Sequence, residues 1–471
     1  MPEFVPDFEP VLLGGAANDI ERKNAALTFS AILMTVIALG IIGAVLRPSD
    51  ESVVGVAAAE VRGVVEVAPP EALASVVPDP ANDALARTVP PTTSPQVTTT
   101  TAPTTTTTTT TTTVPSTTIP LADRSLLRVD NVYGNIAPKS VTATPGGLFF
   151  AQNMMYRHSV TVYDDQGSLL RTIDDRVDLA AFGIEGGVVA RGAPVEAAPN
   201  SDGSFVYVSN YAMYGPGFGP EPDDGCNDTG WDNSFVYRVG ASDLEIDQVI
   251  EVGAVPKFLD VTPDDRLIVV ANWCSFDVSI IDTASGVEVS RIDIGRHPRG
   301  IAISSDSSTA YVTEQGGSRI AVIDLDAIQQ PDFAALAAGG STDWAADLEL
   351  EWIDDVGLGP RSLVLSPDDQ FLYATLNGDG RVVKIDLETN TVQSGTRTGE
   401  APRSMAISND GEALYIVNYD SDSLSKVLTE SMEEVEELTT ADKPIGITVD
   451  PVSSNVWVSH YSGVLQIYED Q

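Results

Sequence analysis

Residues 360–390 read PRSLVLSPDDQFLYATLNGDGRVVKIDLETN. Pro360 to Ser366 has the β-branched and aliphatic content of a strand, and Pro367-Asp368-Asp369 forms a tight turn. Phe371 to Leu376 supplies a second strand, Asn377-Gly378-Asp379-Gly380 a second turn, and Arg381 to Asp386 a third strand. Leu387 to Asn390 then turns into a fourth. Four short strands separated by Pro, Asp, Asn and Gly within some forty residues make one blade of a β-propeller.

The same unit recurs on both sides. Its starting proline appears at Pro138, Pro194, Pro256, Pro298, Pro360, Pro402 and Pro444, and three of the six intervals are 42 residues. The other three are longer by local insertions. The turn before the second strand returns as Thr262-Pro263-Asp264-Asp265, Ser304-Ser305-Asp306-Ser307, Ser408-Asn409-Asp410-Gly411 and Asn200-Ser201-Asp202-Gly203. The strand after it reads Tyr207-Val208-Ser209-Asn210, Tyr311-Val312-Thr313-Glu314, Tyr415-Ile416-Val417-Asn418 and Trp457-Val458-Ser459-His460. On these residues the chain, from about 123 to 471, resembles the YVTN family of β-propellers. The resemblance implies an all-β, seven-bladed ring. It leaves function open, because such propellers include surface-layer proteins, lactonases and subunits of periplasmic redox enzymes. The last unit ends after a third strand at Val464 to Tyr468, so Ser125 to Val129 is expected to close that blade as its outer strand.

Ahead of the ring, residues 1–23 form a short tail ending Glu21-Arg22-Lys23, and Asn24 to Leu46 carries no charge. At 1.5 Å per residue this run covers about 35 Å as a helix, enough for one membrane crossing. Arg22 and Lys23 before it, against Arg47 after it, favour a cytoplasmic N-terminus and an extracytoplasmic propeller. The alternative, a cleaved signal peptide, has a shorter apolar region. Residues 47–122 are Ala/Val/Pro-rich and then threonine-rich, with an unbroken run from Thr104 to Thr113. That composition predicts a disordered spacer.

With 26 basic and 68 acidic residues the formal charge is −42, which disfavours nucleic acid as a partner. Two cysteines and three histidines exclude thiolate metal clusters, and no nucleotide-binding loop or serine-hydrolase elbow is present, so no cofactor or metal is expected. Immediately after the starting prolines stand Lys139, Glu196, Lys257, Arg299, Arg361, Arg403 and Ile445. Five cations at one repeat position, in so acidic a chain, predict a cationic mouth on one face of the channel that suits a carboxylate or phosphate. The insertion Tyr211 to Asn233 belongs to the same face, and another, Leu325 to about Glu351, to the opposite one with a short helix near Pro331 to Leu336.

His158, His297 and His460 map to loops of the cationic face. Glu196, His297 and Arg299 are the candidate set for a lactonase-like hydrolase. His158 and His460 lie on neighbouring blades across the closure and read as surface histidines before a metal pair, and Asp223, Asp224, Asp228 and Asp232, whose spacing does not match an EF-hand loop, read as a solvated acidic loop before a calcium site. Cys226 and Cys274 fall in loops of adjacent blades and are expected to form a disulfide outside the membrane. The expected function is therefore a membrane-anchored, cell-surface binding or scaffold module whose partner is a protein, a glycan or a small anion. A lactone hydrolase is the alternative.

Overall fold

The computed structural model describes residues 123–471 except 185, 220–223, 227–229, 329–347 and 349. The expected tail, membrane helix and threonine-rich spacer lie outside these residues, as does the helix expected near Pro331. Among the described residues no helix is long and apolar enough to cross a membrane.

Seven four-stranded antiparallel sheets stand in a ring. Their innermost strands are Ser140–Ala143, Pro194–Pro199, Pro256–Val261, Pro298–Ile303, Pro360–Leu365, Pro402–Ile407 and Pro444–Val449. Each packs on the next, and the seventh packs on the first. Blades 1 to 6 are continuous in sequence. Blade 7 takes its inner three strands from the end of the chain and its outer strand, Leu126–Tyr133, from the start, paired from Leu126↔Asp470 to Tyr133↔Val464. The expected closure is present, a few residues longer than the sequence indicated.

The second and third strands are buried on both faces because each sheet is sandwiched between two others. Between blades 3 and 4, Leu267, Val269, Val278, Ile280, Ile301, Val312 and Ile323 form one such layer. Removing side chains of this size from water contributes about 1.5–3 kcal/mol each. Across the closure Phe149 of blade 1 stacks on Trp457 of blade 7 at 3.9 Å. Hydroxyls fasten the inner strands to the neighbouring blade: Ser140 donates to the Val195 carbonyl at 2.8 Å, Ser209 of a second strand to that of Lys257 at 2.8 Å, and Ser404 to that of Ile445 at 2.7 Å.

On the opposite face the repeated turns do the same work with carboxylates. Ser201 donates through its backbone N–H and its hydroxyl to Asp265, and Ser305 likewise to Asp369, each pair joining neighbouring blades. An insertion that the sequence did not resolve explains the long interval between Pro138 and Pro194. It is a hairpin of Arg176–Asp178 with Val189–Arg191 around a single 3-10 turn, Leu179–Phe182, capped by Asp178.

The closing blade is locked by a buried ion pair. Lys426, on the third strand of blade 6, is fully buried and donates to Asp470 at 2.7 Å and to the Arg124 carbonyl at 3.0 Å. Tyr415 donates to the same carboxylate at 2.7 Å. Lys426→Met leaves Asp470 without its cation in a dry interface, so the variant is expected to lose about 3–5 kcal/mol in denaturant titration. Adding Asp470→Asn should restore part of that loss, because the orphaned charge goes with it.

Candidate functional site

A starting proline cannot donate to the sheet ladder, so the six inner strands that begin on one, those of blades 2 to 7, start with a missing bond. The chain enters several of these prolines from a left-handed residue: Val255, His297, Gly359, Ala401 and Lys443 have φ between 52° and 66°. The register then slips next to the cation, between Pro256 and Leu259, Pro298 and Ile301, Pro360 and Leu363, and Pro402 and Ser404. A bulge of this kind re-aims the side chain it carries. Gly300 shows how tight the arrangement is, because a Cβ there would lie 2.4 Å from the Arg361 carbonyl oxygen of the next blade.

The side chains at this position are more deeply buried than a mouth residue would be. Arg361 is 2% exposed, Lys139 3%, and Lys257, Arg299, Arg403 and Glu196 between 5% and 8%. Ile445 fills the same place in blade 7, fully buried. Glu196 accepts from Lys139 Nζ at 3.3 Å and faces Arg299 Nη2 at 4.0 Å. Burial pushes Lys139 down to about 7. Glu196 pulls it back up, and Arg299, Arg361 and Lys257 push it down further. Cations from blades 3, 4 and 5 thus act on Lys139 of blade 1.

Aromatic side chains ride on the cations. Lys257 Nζ lies 4.4 Å from the Tyr211 ring centroid and 5.2 Å from that of Trp273. Arg299 approaches Trp273 at 5.8 Å, and Arg403 sits 3.6 Å from the Tyr419 ring. Tyr211, Trp273 and Tyr419, with Tyr461, each follow the last residue of a second strand. Their backbone N–H groups donate to the residues just before the starting prolines, Ala193, Val255, Ala401 and Lys443. This collar was readable in the sequence as an aromatic at a fixed place after the YVTN-like strand.

The insertion after Asn210 reaches this ring. Cys226 and Cys274 are joined in a disulfide, as expected, with Cα atoms 5.3 Å apart. Asp224, two residues before Cys226, accepts from Lys257 Nζ at 2.7 Å. Of the other acidic residues considered for calcium, Asp232 accepts from the Gly219 N–H, and Asp223 and Asp228 lie outside the described residues.

The histidines are placed differently from one another. His297 stacks on Trp273 at 4.2 Å and nearly parallel, with Phe276 at its edge, so its ring is held by the collar while Glu196 and Arg299 face each other. His460 is not in a loop: it ends the strand Val456–His460, fully buried, and burial pushes it down to about 4 against a hydrogen bond with the Ala441 carbonyl. His158 sits 2.8 Å from the Gly192 carbonyl and 3.6 Å from Asp175, whose other oxygen lies 3.2 Å from Arg191. Those contacts tie the inserted hairpin to blade 1. Burial pushes Asp175 up to about 8, with Arg191 pulling the other way. The described residues contain no cluster of three or more metal-binding side chains.

Comparison with known proteins agrees with the architecture. The family model for "Lactonase, 7-bladed beta-propeller" matches residues 287–449, from the outer strand of blade 3 to the inner strand of blade 7. Antigen Lp49 of Leptospira interrogans is 25% identical over 36% of this chain and 46% of its own length, so the match spans about half of that relative. Among solved structures, a chain of Kuenenia stuttgartiensis hydrazine synthase superposes with a TM-score of 0.53 at 17% identity, covering 72% of this chain and 97% of that one. At that identity the likeness concerns the fold alone. The chain is a seven-bladed β-propeller, similar over blades 4 to 6 and their flanking strands to the lactonase-type propellers.

Proposed function

We propose that the protein is a non-enzymatic anion-binding module, held outside a membrane by the uncharged segment 24–46 and carried on the threonine-rich spacer. The observation that supports this reading is geometric: Lys139, Lys257, Arg299, Arg361 and Arg403 are all buried at one repeat position of the ring, with Glu196 the one acid at that position. Holding like charges together away from water is costly unless an anion shares the site. Arginines with several donors each, backed by aromatic faces, suit the planar oxygens of a carboxylate or the oxygens of a phosphate. The natural partner carries such a group, as a small anion, a glycan or a surface protein.

The similarity to lactonase-type propellers is the observation that favours the second reading, hydrolysis of a lactone at the same mouth. Glu196 would then be the base and Arg299 the group facing the developing oxyanion. His297, stacked on Trp273, would position the edge of the site. A panel of lactones incubated with the full-length chain separates the two readings: turnover abolished by Glu196→Gln supports hydrolysis and removes the non-enzymatic one.

Ligand binding raises the melting temperature in proportion to ln(1 + [L]/Kd), so citrate, phosphate, uronic acids and sugar phosphates at millimolar concentration are expected to stabilise the full-length protein. Arg361→Gln with Arg403→Gln should keep the fold and remove that stabilisation, since each charge-assisted hydrogen bond lost costs about 1.5–3 kcal/mol, roughly tenfold or more in affinity. No shift with any anion, and a destabilised double variant, would mean that the ring is structural.

Affinity is also expected to depend on pH with a definite sign. Free Lys139 loses its proton near 7, and a bound anion holds that proton on, so binding takes up a proton above pH 7 and weakens as pH rises. Calorimetry in buffers of different ionisation heat should read that uptake, and Lys139→Met should abolish it. For the membrane assignment, protease added to intact cells should release the propeller; a mature N-terminus beyond Ala59 would instead mark a cleaved signal.

A further inference from the structure

The mouth already receives an acid from its own chain. Asp224 presents two acceptors to the collar. Its carboxylate accepts from Lys257 Nζ at 2.7 Å and from the Tyr211 hydroxyl at 3.1 Å, and its main-chain carbonyl accepts from Trp273 Nε1 at 2.8 Å. The side chains of Asp224 and Lys257 are 15% and 7% exposed. The segment is fastened two residues later, where Cys226 is bonded to Cys274, the residue next to Trp273. Lysine, phenol and indole donors therefore surround one aspartyl residue as they would surround a ligand, taking both its side-chain and its backbone oxygens.

We propose that the Lys257 side of the mouth is a recognition site for aspartyl carboxylates in peptides, and that Asp224 is its tethered occupant. The proposal rests on reading the ring as an anion site, and it names the ligand class and the competitor. The donor set fits an aspartyl residue better than phosphate, because the Trp273 N–H is matched to an amide carbonyl a fixed distance from the carboxylate. The disulfide keeps Asp224 beside Lys257 at the effective concentration of a short tether, of the order of millimolar. A free ligand must displace it. If Asp224 fills the site about nine-tenths of the time, the apparent affinity of a competitor falls about tenfold.

The test measures binding of N-acetyl-aspartate N-methylamide, with inorganic phosphate as the comparison, to the full-length protein and two variants. Asp224→Asn removes the competing charge, and Cys226→Ser with Cys274→Ser releases the tether while leaving Asp224 in place. Both variants are expected to bind the aspartyl probe about tenfold more tightly than the wild type, with phosphate affinity changed by less. Lys257→Met, made in the Asp224→Asn background, should abolish the gain. Unchanged aspartyl affinity in both variants, while citrate or phosphate still binds, overturns the tethered-occupant proposal and leaves the anion site standing. An equal gain for phosphate overturns the choice of aspartyl ligand. Absence of binding by any anion to any variant overturns the site and this proposal together.

Discussion

The ladder between Leu126–Tyr133 and Val464–Asp470 is the interaction on which the rest depends. A propeller has no core of its own at the axis; each sheet is buried only by its two neighbours. Without the closing strand, blade 7 would expose an unpaired edge and the Phe149–Trp457 stack would lose its frame. The cationic mouth depends on the same ladder. Lys139 belongs to blade 1, and Arg299 and Arg361 to blades 4 and 5, so the two arginines act on Lys139 only because the ring is shut.

Charge follows the repeat. The chain carries an excess of 42 negative charges, yet one repeat position collects five cations. Part of the acid is used in the turns of the opposite face. Hydrogen bonds from Ser204, Ser304 and Ser366 hold Asp202, Asp306 and Asp368 below the ordinary carboxylate range, Asp306 at about 2. Local donors, rather than cations, keep those aspartates ionised. In the ring, Glu196 meets Lys139 and Arg299, and Asp224 meets Lys257.

Much of this was legible in the sequence, and the reasons are local. Proline starts, aspartate turns and the YVTN-like strand are properties of a few adjacent residues, so blade number, closing strand and disulfide partners could be read from their order. Burial depends on residues far apart, and it was not legible. The cations sit under the collar instead of at an open rim, and His460 ends a buried strand instead of lying in a loop. The strands of the inserted hairpin, Arg176–Asp178 and Val189–Arg191, are three residues each, too short for an alternating pattern to announce them. The hairpin is recognised through Asp175, Arg191 and Gly192, which make sense only in contact with His158.

The closing strand also sets an order of events during synthesis. Leu126 precedes every other strand residue of the ring, and its partner Asp470 is the next-to-last residue of the chain. At about 5–20 residues per second, roughly 20–70 s separate the appearance of the two. During that interval six blades can assemble in sequence, each covering the flank of the one before. The first strand waits with its hydrogen-bonding edge unclaimed, so the period of greatest exposure to foreign strands falls at the first-made end of the ring and ends only when the last blade arrives.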